Sequence, residues 1–415
     1  MKAAFALAAA LAAMPALADV SPEARALHER LLTLDSHLDT PVYFSLPGWN
    51  PAERHALTTD LSQVDVPRMR EGGLDGGFFV IYTDPAPRTP EAQRAARDHA
   101  LARLATIRET LAAHPDLLAL AQSADDAARI AASGRRFVYI SMENASPLAL
   151  DPSLLDFHYA QGLRMLGLVH VENNEFADSS TDKRGPEWNG LSPAGRDLIA
   201  RANRLGLLID LSHASDASFD QALELSRTPI VLSHTSAKAL YDHPRNIDDE
   251  RIRRLAARGG VIQVNAYPGY LADEHKSPER QAAIDAATGP FWDGSANSAE
   301  KRQALADAYF KAQRDYPVPR TDFDDFMRHL LHIIRVAGPE HVGLGADFDG
   351  AGGLASVGFE DVTALPRITE RLLAEGYSEA QIAGFWGGNL LRVMRQAEAA
   401  REAPHEAIAN PAAAQ

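Results

Sequence analysis

Short apolar segments rich in β-branched and aromatic residues recur along the chain and alternate with amphipathic segments. This pattern predicts eight strands, at residues 31–39, 76–82, 136–144, 163–171, 205–213, 229–234, 260–265 and 341–349. Helical periodicity between them predicts helices such as 91–113 and 193–205. The second has Ser192 as its N-cap, Pro193 in its first turn and Gly206 near its end. Strands that alternate with helices indicate parallel βαβ units, and eight such units predict an α/β fold of the (β/α)8 TIM-barrel type.

The main alternative to a barrel is a doubly wound sheet. That fold favours a glycine-rich phosphate-binding turn after the first strand, whereas the first predicted strand here ends in His37, Leu38 and Asp39. Two stretches interrupt the regular spacing. Residues 266–319 form a long insertion before the last strand, either a lid or specificity element or a solvated excursion, and residues 399–415 form a tail that we expect to be flexible.

Composition narrows the classes of function. The 415-residue chain carries 41 Lys and Arg against 56 Asp and Glu, and the net charge of −15 disfavours a nucleic-acid partner or an anionic membrane surface. Zero Cys excludes disulfides and thiol nucleophiles. The 15 His remain, so a transition-metal site would have to use His, Asp and Glu.

The amino terminus has the features of a secretory signal. Lys2 precedes an apolar run over residues 3–11, and Ala16, Leu17 and Ala18 match an A-x-A cleavage site. The run is shorter than the roughly 20 residues that a membrane span needs. We therefore expect a signal peptide at residues 1–18, a single mature domain at 19–398 without a membrane anchor, and export across the inner membrane. The absence of Cys suits a bacterial periplasm, the expected location, or an extracellular space.

Residue types that bind metals or transfer protons stand at the ends of most predicted strands. These residues are His37, Asp39, Glu143, His170, His213, His234, Asp347 and Asp349. A single His at a strand end is usually a core or loop residue. In a barrel, however, the carboxyl ends of all strands converge on one mouth, where barrel enzymes place their chemistry. Four His and several carboxylates at equivalent ends therefore predict a metal-dependent active site.

The spacing of these residues suggests two ions. His37 and Asp39 are two positions apart on one strand and could face the same ion, while His213 and His234, from neighbouring strands, could hold a second. Glu143 lies between the two pairs in strand order, so its two oxygens could bridge both metals. Imidazole and carboxylate suit Zn²⁺ and related divalent cations, and two ions about 3.5–4 Å apart could share a water and lower its pKa.

Two further residues could complete the chemistry. Asp347 offers a carboxylate near such a water, able to carry its proton to a leaving group. His170 could polarise a carbonyl or stabilise a tetrahedral oxyanion.

At these residues the chain resembles the membrane dipeptidase (renal dipeptidase) family of metallopeptidases, within the amidohydrolase superfamily. The matching stretches are DSHLD (35–39), GGLDGG (72–77), MEN (142–144), HVENNEFADSS (170–180), GLSPAGRDLIARANRLGLLIDLSHASDASF (190–219), PIVLSHTSAKALYDHPRN (229–246) and HVGLGADFDG (341–350). They follow one another over nearly the whole mature chain, and HVGLGADFDG is far more specific than HxD alone.

The resemblance implies a dinuclear zinc dipeptidase, often a homodimer, that hydrolyses dipeptides and can accept a D-residue at their carboxyl terminus. It assigns His37 and Asp39 to one zinc, His213 and His234 to the other, and Glu143 to the bridge. It also places His170 over the substrate carbonyl and makes Asp347 the proton-transfer residue. Arg245, in the DHPRN stretch, would pair with the terminal carboxylate of the substrate, a role that suits a guanidinium.

The chain departs from the family pattern at a few positions. Asn144 follows Glu143 where the family usually has Gly, and Glu172 places an acidic residue two positions after His170. The cysteines that brace animal members and a carboxyl-terminal lipid-anchor signal are both absent. Neither covalent dimerisation nor lipid anchoring is therefore expected.

Two other functions remain open from the sequence. One is a different amidohydrolase that acts on N-acyl amino acids, lactones, phosphoesters or related amides. Members that use a carboxylated lysine as the bridge are disfavoured, since residues 136–144 contain no Lys. The other is a dipeptidase-like maturation protein that keeps the fold without hydrolysis. The side-chain preference, the physiological metal and the oligomeric state do not follow from the sequence.

Overall fold

A sheet of parallel strands forms the centre of the molecule. The computed structural model describes residues 20–274, 277–292, 295–350 and 352–402, so the expected signal peptide and the tail beyond residue 402 lie outside the described residues. The strands are β1 (Leu34–Leu38), β2 (Gly76–Tyr82), β3 (Leu118–Leu120), β4 (Arg136–Glu143), β5 (Leu163–Gly167), β6 (Leu208–Asp210), β7 (Val231–Thr235), β8 (Val261–Val264) and β9 (Val342–Leu344). Their order in the sheet is β1-β2-β4-β5-β6-β7-β8-β9. The short strand β3 lies outside this order and pairs with the amino-terminal part of β4.

The first and last strands meet and nearly close the sheet. Leu38 forms a parallel bridge with Phe348 just beyond β9, and the backbone nitrogen of Asp39 donates to the Phe348 carbonyl at 3.0 Å. Ser36 adds a link across the interior, since its hydroxyl contacts the carbonyls of Ser233 at 2.6 Å and Leu344 at 3.1 Å. The predicted (β/α)8 barrel is confirmed.

Helices cover the outside of the barrel. They are α1 (Pro22–His28), α2 (Pro41–Phe44), α3 (Leu57–Asp60), α4 (Val66–Glu71), α5 (Pro90–Ala113), α6 (Asp126–Ala131), α7 (Leu154–Ala160), α8 (Pro193–Leu205), α9 (Asp216–Leu225), α10 (Asp249–Ala257), α11 (Pro268–Leu271), α12 (Pro278–Trp292), α13 (Ala299–Asp315), α14 (Phe323–Ala337), α15 (Pro366–Ala374), α16 (Glu379–Ala383) and α17 (Asn389–Ala399). The capping predicted for α8 is present: Ser192 accepts from the Gly195 nitrogen, and Gly206 ends the helix with φ of 74°. None of the described helices is long and apolar enough to cross a membrane.

The described part of the insertion at 266–319 is folded and is not a solvated excursion. Its helices α12 and α13 pack against each other, and α13 also packs against α3, which lies downstream of β1. The shared apolar cluster includes Tyr43 and Trp49 from the segment after β1, and Leu305 and Tyr309 from α13. The insertion therefore supports the chain segment that follows His37 and Asp39.

Most observed strands are shorter than the predicted ones, although β2 has the predicted bounds. Residues 168–171, 211–213 and 345–349 were predicted as strand but follow β5, β6 and β9 as loops or turns. The apolar pattern continues into these loops because they stay buried beneath the barrel mouth. The short strand β3 was not predicted, because three apolar residues shortly after the long helix α5 carry no distinct periodicity.

Candidate metal centre and active site

A cavity of about 360 Å³ opens at the carboxyl ends of the strands. Six of the predicted site residues line it: Asp39, Glu143, His170, His213, His234 and Asp347. His37 lies beneath them with an exposed fraction of 2%. The structure thus brings together side chains that lie at the ends of six strands or just beyond them and are up to 310 residues apart in the sequence, as the barrel predicts.

His37 and Asp39 form the part of the site at the end of β1. The Nε2 atom of His37 lies 3.3 Å from Oδ2 of Asp39. Asp35, two residues before His37, fixes this end, since its carboxylate accepts from the backbone nitrogens of His37 at 2.9 Å and Ala346 at 3.2 Å. The bond to Ala346 ties the residue just beyond β9 to β1.

Glu143, the last residue of β4, turns its two oxygens to different partners. Oε2 lies 3.6 Å from Nε2 of His37. Oε1 lies 3.0 Å from Nε2 of His213 and 3.5 Å from Nε2 of His234. Asn144 follows with φ of 70°, in the left-handed region that Gly favours and Asn tolerates, which explains how Asn occupies a position where Gly is usual.

His213 and His234 present their Nε2 atoms to each other at 2.9 Å. Behind the metal-facing edge, Nδ1 of His234 lies 2.9 Å from the Ser233 hydroxyl, which donates to Oδ2 of Asp210 at 2.6 Å. Because the Ser233 hydroxyl uses its own hydrogen in the bond to Asp210, it can only accept a hydrogen bond from His234. The proton of the neutral His234 ring is therefore on Nδ1. The lone pair of its Nε2 then faces the cavity.

Burial and neighbouring charges shift the pKa values of these groups. The shifts favour the metal-binding forms of His213, His234 and Glu143, whereas His37 would have to release a proton to bind a cation. Burial, followed by the charges of neighbouring groups, lowers the pKa of His213 and His234 well below the ordinary value, so both rings are neutral. Burial alone would raise the pKa of Glu143, but the neighbouring imidazoles hold it well below its usual range. Burial alone would lower the pKa of His37, but the carboxylates of Glu143 and Asp39 raise it well above its usual range.

The donor set fits divalent transition metals. Three overlapping groups have ligand atoms within 4.8 Å of one another, namely His37 with Glu143 and His234, Glu143 with His170 and His213, and His37 with Asp39 and Asp347. A tetrahedral ion with bonds of about 2.0–2.1 Å holds its ligand atoms about 3.3 Å apart. The separations around Glu143 lie close to that value. Its buried Oε1 also makes no hydrogen bond of good geometry, which leaves it available to a cation.

His170 lies beside the metal-facing groups, with Nε2 at 4.0 Å from Oε1 of Glu143. Its ring meets Tyr82 edge-on, and the Tyr82 hydroxyl lies 3.5 Å from Nδ1. Burial, helped by the charge of Arg245, lowers the pKa of His170 below the ordinary value, although Glu143 acts against this. A neutral ring in this position can donate one N–H to a substrate carbonyl.

Asp347 lies in the cavity next to Asp39. Burial raises its pKa to about 7, and Asn265 donates to its Oδ2 at 3.2 Å. A Cβ atom at Gly350 would stand 2.2 Å from Oδ1 of Asp347 and 2.6 Å from Oδ2 of Asp39, so only Gly leaves room for both carboxylates. Asp349 points elsewhere, since its carboxylate accepts from the Thr40 hydroxyl at 2.7 Å.

Arg245 is buried beside the site and is not among the residues that line the cavity. Its guanidinium donates to the His234 carbonyl at 3.0 Å and to the Thr235 hydroxyl at 3.3 Å, while Nε has no hydrogen-bond partner. The ring of Tyr270, which does line the cavity, lies 5.1 Å from Cζ of Arg245. The other charged position noted in the sequence, Glu172, pairs with Arg184 at the surface.

Several cavity residues escaped the sequence reasoning: Tyr82, Asp84, Arg103, Tyr267 and Tyr270. Tyr82 ends β2, so the rule that strand ends carry chemistry would have found it had aromatic residues been considered. Arg103 lies in the middle of α5, where no local pattern distinguishes it from a solvated helix residue.

Comparisons with known proteins agree with this geometry. Residues 21–407 match the family model for membrane dipeptidase, peptidase family M19. An uncharacterized dipeptidase of Schizosaccharomyces pombe is 30% identical over 388 residues, which cover 90% of this chain and 82% of the relative. The solved structure of a probable dipeptidase of Pseudomonas aeruginosa, PvdM, matches with a TM-score of 0.76 and 30% identity, over 91% of this chain and 98% of that one.

A second solved structure was determined with a ligand. It is a metallopeptidase of Rhodobacter sphaeroides in complex with a phosphinate mimic of the dipeptide L-Ala-D-Ala. The match has a TM-score of 0.68 and 25% identity, over 88% of this chain and 99% of that one.

Proposed function

This chain belongs to the membrane dipeptidase family, peptidase family M19, and is a metallo-dipeptidase; from this premise we propose that it works with two zinc ions bridged by Glu143. The observation that carries the proposal is the division of the Glu143 carboxylate. One oxygen faces His37, and the other faces His213 and His234. One ion would be held by His37, Asp39 and Glu143, and the other by Glu143, His213 and His234.

A pair of bound divalent cations would supply a water of lowered pKa and Lewis-acid stabilisation of negative charge. Asp347 takes the proton of the attacking water and delivers it to the nitrogen of the leaving amino acid. Its ligand atoms lie close to those of His37 and Asp39 in the cavity, which puts this carboxyl within reach of such a water. His170, on the other side of Glu143, donates to the carbonyl oxygen of the scissile bond as negative charge develops there.

The restriction to dipeptides would come from Arg245. Its guanidinium has an unpartnered Nε and lies against Tyr270 just outside the cavity lining, from where it would have to reach in to hold the free terminal carboxylate of the substrate. With the carboxylate held there and the carbonyl beside His170, a longer carboxyl-terminal segment would not fit.

Replacement of Arg245 should therefore affect substrates according to their carboxyl terminus. We expect Arg245→Ala to reduce kcat/KM strongly for a free dipeptide and less for the same dipeptide amidated at its carboxyl terminus. Arg245→Lys should recover only part of the loss, because an ammonium lacks the bidentate fork. The measurement is kcat/KM for both substrates on the three proteins. Equal losses for the two substrates would show that Arg245 is structural and that selectivity has another origin.

Ser233 should tune metal binding through His234. Ser233→Ala removes the acceptor that fixes the proton on Nδ1 of this ring, so we expect metal affinity to fall by about 10–100-fold, the usual cost of losing such a partner. Competition with a chromophoric chelator measures this affinity. Ser215→Ala, which removes a hydroxyl at the N-cap of α9, is the matched control. An unchanged affinity in Ser233→Ala would remove Ser233 from the account of the metal centre.

We further propose that the enzyme accepts a D-residue at the carboxyl-terminal position. The similar Rhodobacter sphaeroides metallopeptidase, whose ligand mimics L-Ala-D-Ala, supports this proposal. Export to a periplasm is likewise proposed, on the signal-like residues 1–18 alone. The amino-terminal residue of the protein purified from its source would test export, with Asp19 as the expected first residue.

A substrate panel on zinc-loaded protein tests the function. We expect release of free amino acids from L-Ala-L-Ala and L-Ala-D-Ala, loss of this activity with a chelator, and recovery with zinc. A tripeptide and an N-acetyl amino acid serve as comparison substrates and should react much more slowly. Faster hydrolysis of the N-acetyl amino acid would instead identify a different amidohydrolase, and no turnover of any amide would favour a protein that does not hydrolyse.

A further inference from the structure

Arg103 brings a positive charge into a cavity whose other charged groups are mainly carboxylates. It comes from the middle of α5 and lines the cavity together with Asp39 and Tyr82. One guanidinium nitrogen donates to the backbone carbonyl of Pro41, two residues after Asp39. This contact holds the side chain against the β1 side of the barrel mouth.

The guanidinium of Arg103 has no anionic partner in the part of the chain that the structure describes. Among the described residues, no carboxylate oxygen lies within the 4.0 Å of an ion pair with it. A guanidinium has five N–H donors, and the Pro41 carbonyl occupies one nitrogen. Burial lowers the pKa of Arg103 below its ordinary value, and the negative charge of Asp39 offsets this only in part. The protein therefore does not fully compensate the positive charge of the buried guanidinium. A charged group left in this state favours a ligand that brings the opposite charge.

The carboxylates that line the cavity do not form ion pairs with Arg103. Asp39 and Glu143 face the imidazoles of the candidate metal centre. Asp347 accepts from Asn265, and Asp84 accepts from the Tyr82 hydroxyl at 2.7 Å. The free donors of Arg103 therefore remain available to a molecule in the cavity.

Arg103 and Arg245 lie on opposite sides of the barrel. Arg103 belongs to the helix that follows β2, and Arg245 to the loop that follows β7. In the strand order β1-β2-β4-β5-β6-β7-β8-β9, β2 and β7 are four strands apart in either direction around the nearly closed sheet. A substrate whose carboxyl terminus lies at Arg245 thus extends its amino-terminal residue toward Arg103.

We propose that Arg103 is a specificity residue that selects dipeptides with an acidic side chain on the amino-terminal residue. The inference rests on the proposed function, because the placement of Arg245 at the carboxyl terminus fixes the direction of the substrate. A Glu or Asp side chain in the cavity would accept charge-assisted hydrogen bonds from the free edge of the guanidinium, whereas the isosteric amide of Gln or Asn could accept only a neutral bond.

The test compares four dipeptides on four proteins. The dipeptides are Glu-Ala, Gln-Ala, Ala-Glu and Ala-Ala, and the proteins are the wild type, Arg103→Gln, Arg103→Lys and Arg108→Gln. Arg108 is the matched control: it lies on the same helix and also donates to a backbone carbonyl, that of Gln161, but at the exposed surface. Metal content and thermal melting of each protein show whether a variant is loaded and folded.

We expect the wild type to prefer Glu-Ala over Gln-Ala in kcat/KM by about tenfold or more. Arg103→Gln should abolish most of that preference, Arg103→Lys should keep part of it, and Arg108→Gln should retain all of it. A preference for Ala-Glu over Glu-Ala would overturn the assigned direction. An unchanged ratio in a folded Arg103→Gln, or an equal loss for all four dipeptides, would overturn the selective role of Arg103.

These failures differ from a failure of the proposed function. If the zinc-loaded wild type hydrolyses Ala-Ala and Gln-Ala but shows no preference for Glu-Ala, only the inference about Arg103 is wrong. If it hydrolyses none of the four dipeptides, the proposed function is wrong and the inference falls with it.

Discussion

Glu143→Gln should lose both metal ions and with them nearly all dipeptide hydrolysis. The neutral amide of Gln has one oxygen and an NH₂ group. It therefore cannot offer a charged oxygen both to the ion beside His37 and to the ion beside His213 and His234. Loss of a partner behind a metal ligand costs about 10–100-fold in metal affinity, and loss of the bridging ligand itself should cost more. Elemental analysis after extensive dialysis measures the bound metal, and circular dichroism checks the fold.

Glu175→Gln is a useful control for this variant, since Glu175 is a carboxylate that accepts from Gln93 away from the cavity. It should retain the metal content of the wild type. Two tightly held zinc ions in folded Glu143→Gln would show that Glu143 does not bridge them. Loss of only one ion would assign Glu143 to a single site.

Asp347→Asn should separate metal binding from proton transfer. We expect metal content near that of the wild type and a decrease in kcat of about 10²–10⁴, the usual range for a lost general acid or base. The amide of Asn still fits beside Gly350 and Asn265, but it cannot take a proton from water and pass it to the leaving amine. Stopped assays of amino-acid release at saturating dipeptide give kcat directly.

Asp84→Asn is the matched control, because Asp84 lines the same cavity and loses the same charge. Its kcat should change far less than that of Asp347→Asn. Equal turnover of Asp347→Asn and wild type would exclude Asp347 as the proton carrier. Asp349 would be a poor substitute for that role, since Thr40 and the backbone nitrogen of Gln63 already occupy its carboxylate.

The sequence predicts the barrel and the candidate metal centre because both depend on the order of elements along the chain. A residue at the carboxyl end of a parallel strand must lie at the barrel mouth, so His37, Glu143 and His213 come together once the strands are identified. The same logic does not fix where a strand ends. The loops after β5, β6 and β9 carry buried apolar residues such as Leu168, Leu211 and Phe348, so the apolar pattern predicts strand there as well.

Other features depend on tertiary packing and leave no local pattern. Arg103 lies on an amphipathic helix, where the sequence does not distinguish it from the residues of the solvated face. Only the packing of α5 against α2 and β2 turns its side chain toward the cavity. Tyr270 belongs to the insertion, whose folded position could not be predicted from its charged and Pro-rich composition. The division of Glu143 between two sets of imidazoles likewise appears only in the distances.

Titration of the metal-free enzyme with zinc tests the central claim most directly. Zinc is added in steps, from concentrations below that of the protein to concentrations well above it. Hydrolysis of L-Ala-D-Ala and the amount of bound metal are measured in the same samples. A centre bridged by Glu143 predicts that bound zinc saturates at two equivalents per chain and that full activity requires both. Saturation of binding and activity at one equivalent, or hydrolysis by the metal-free enzyme, would contradict the account.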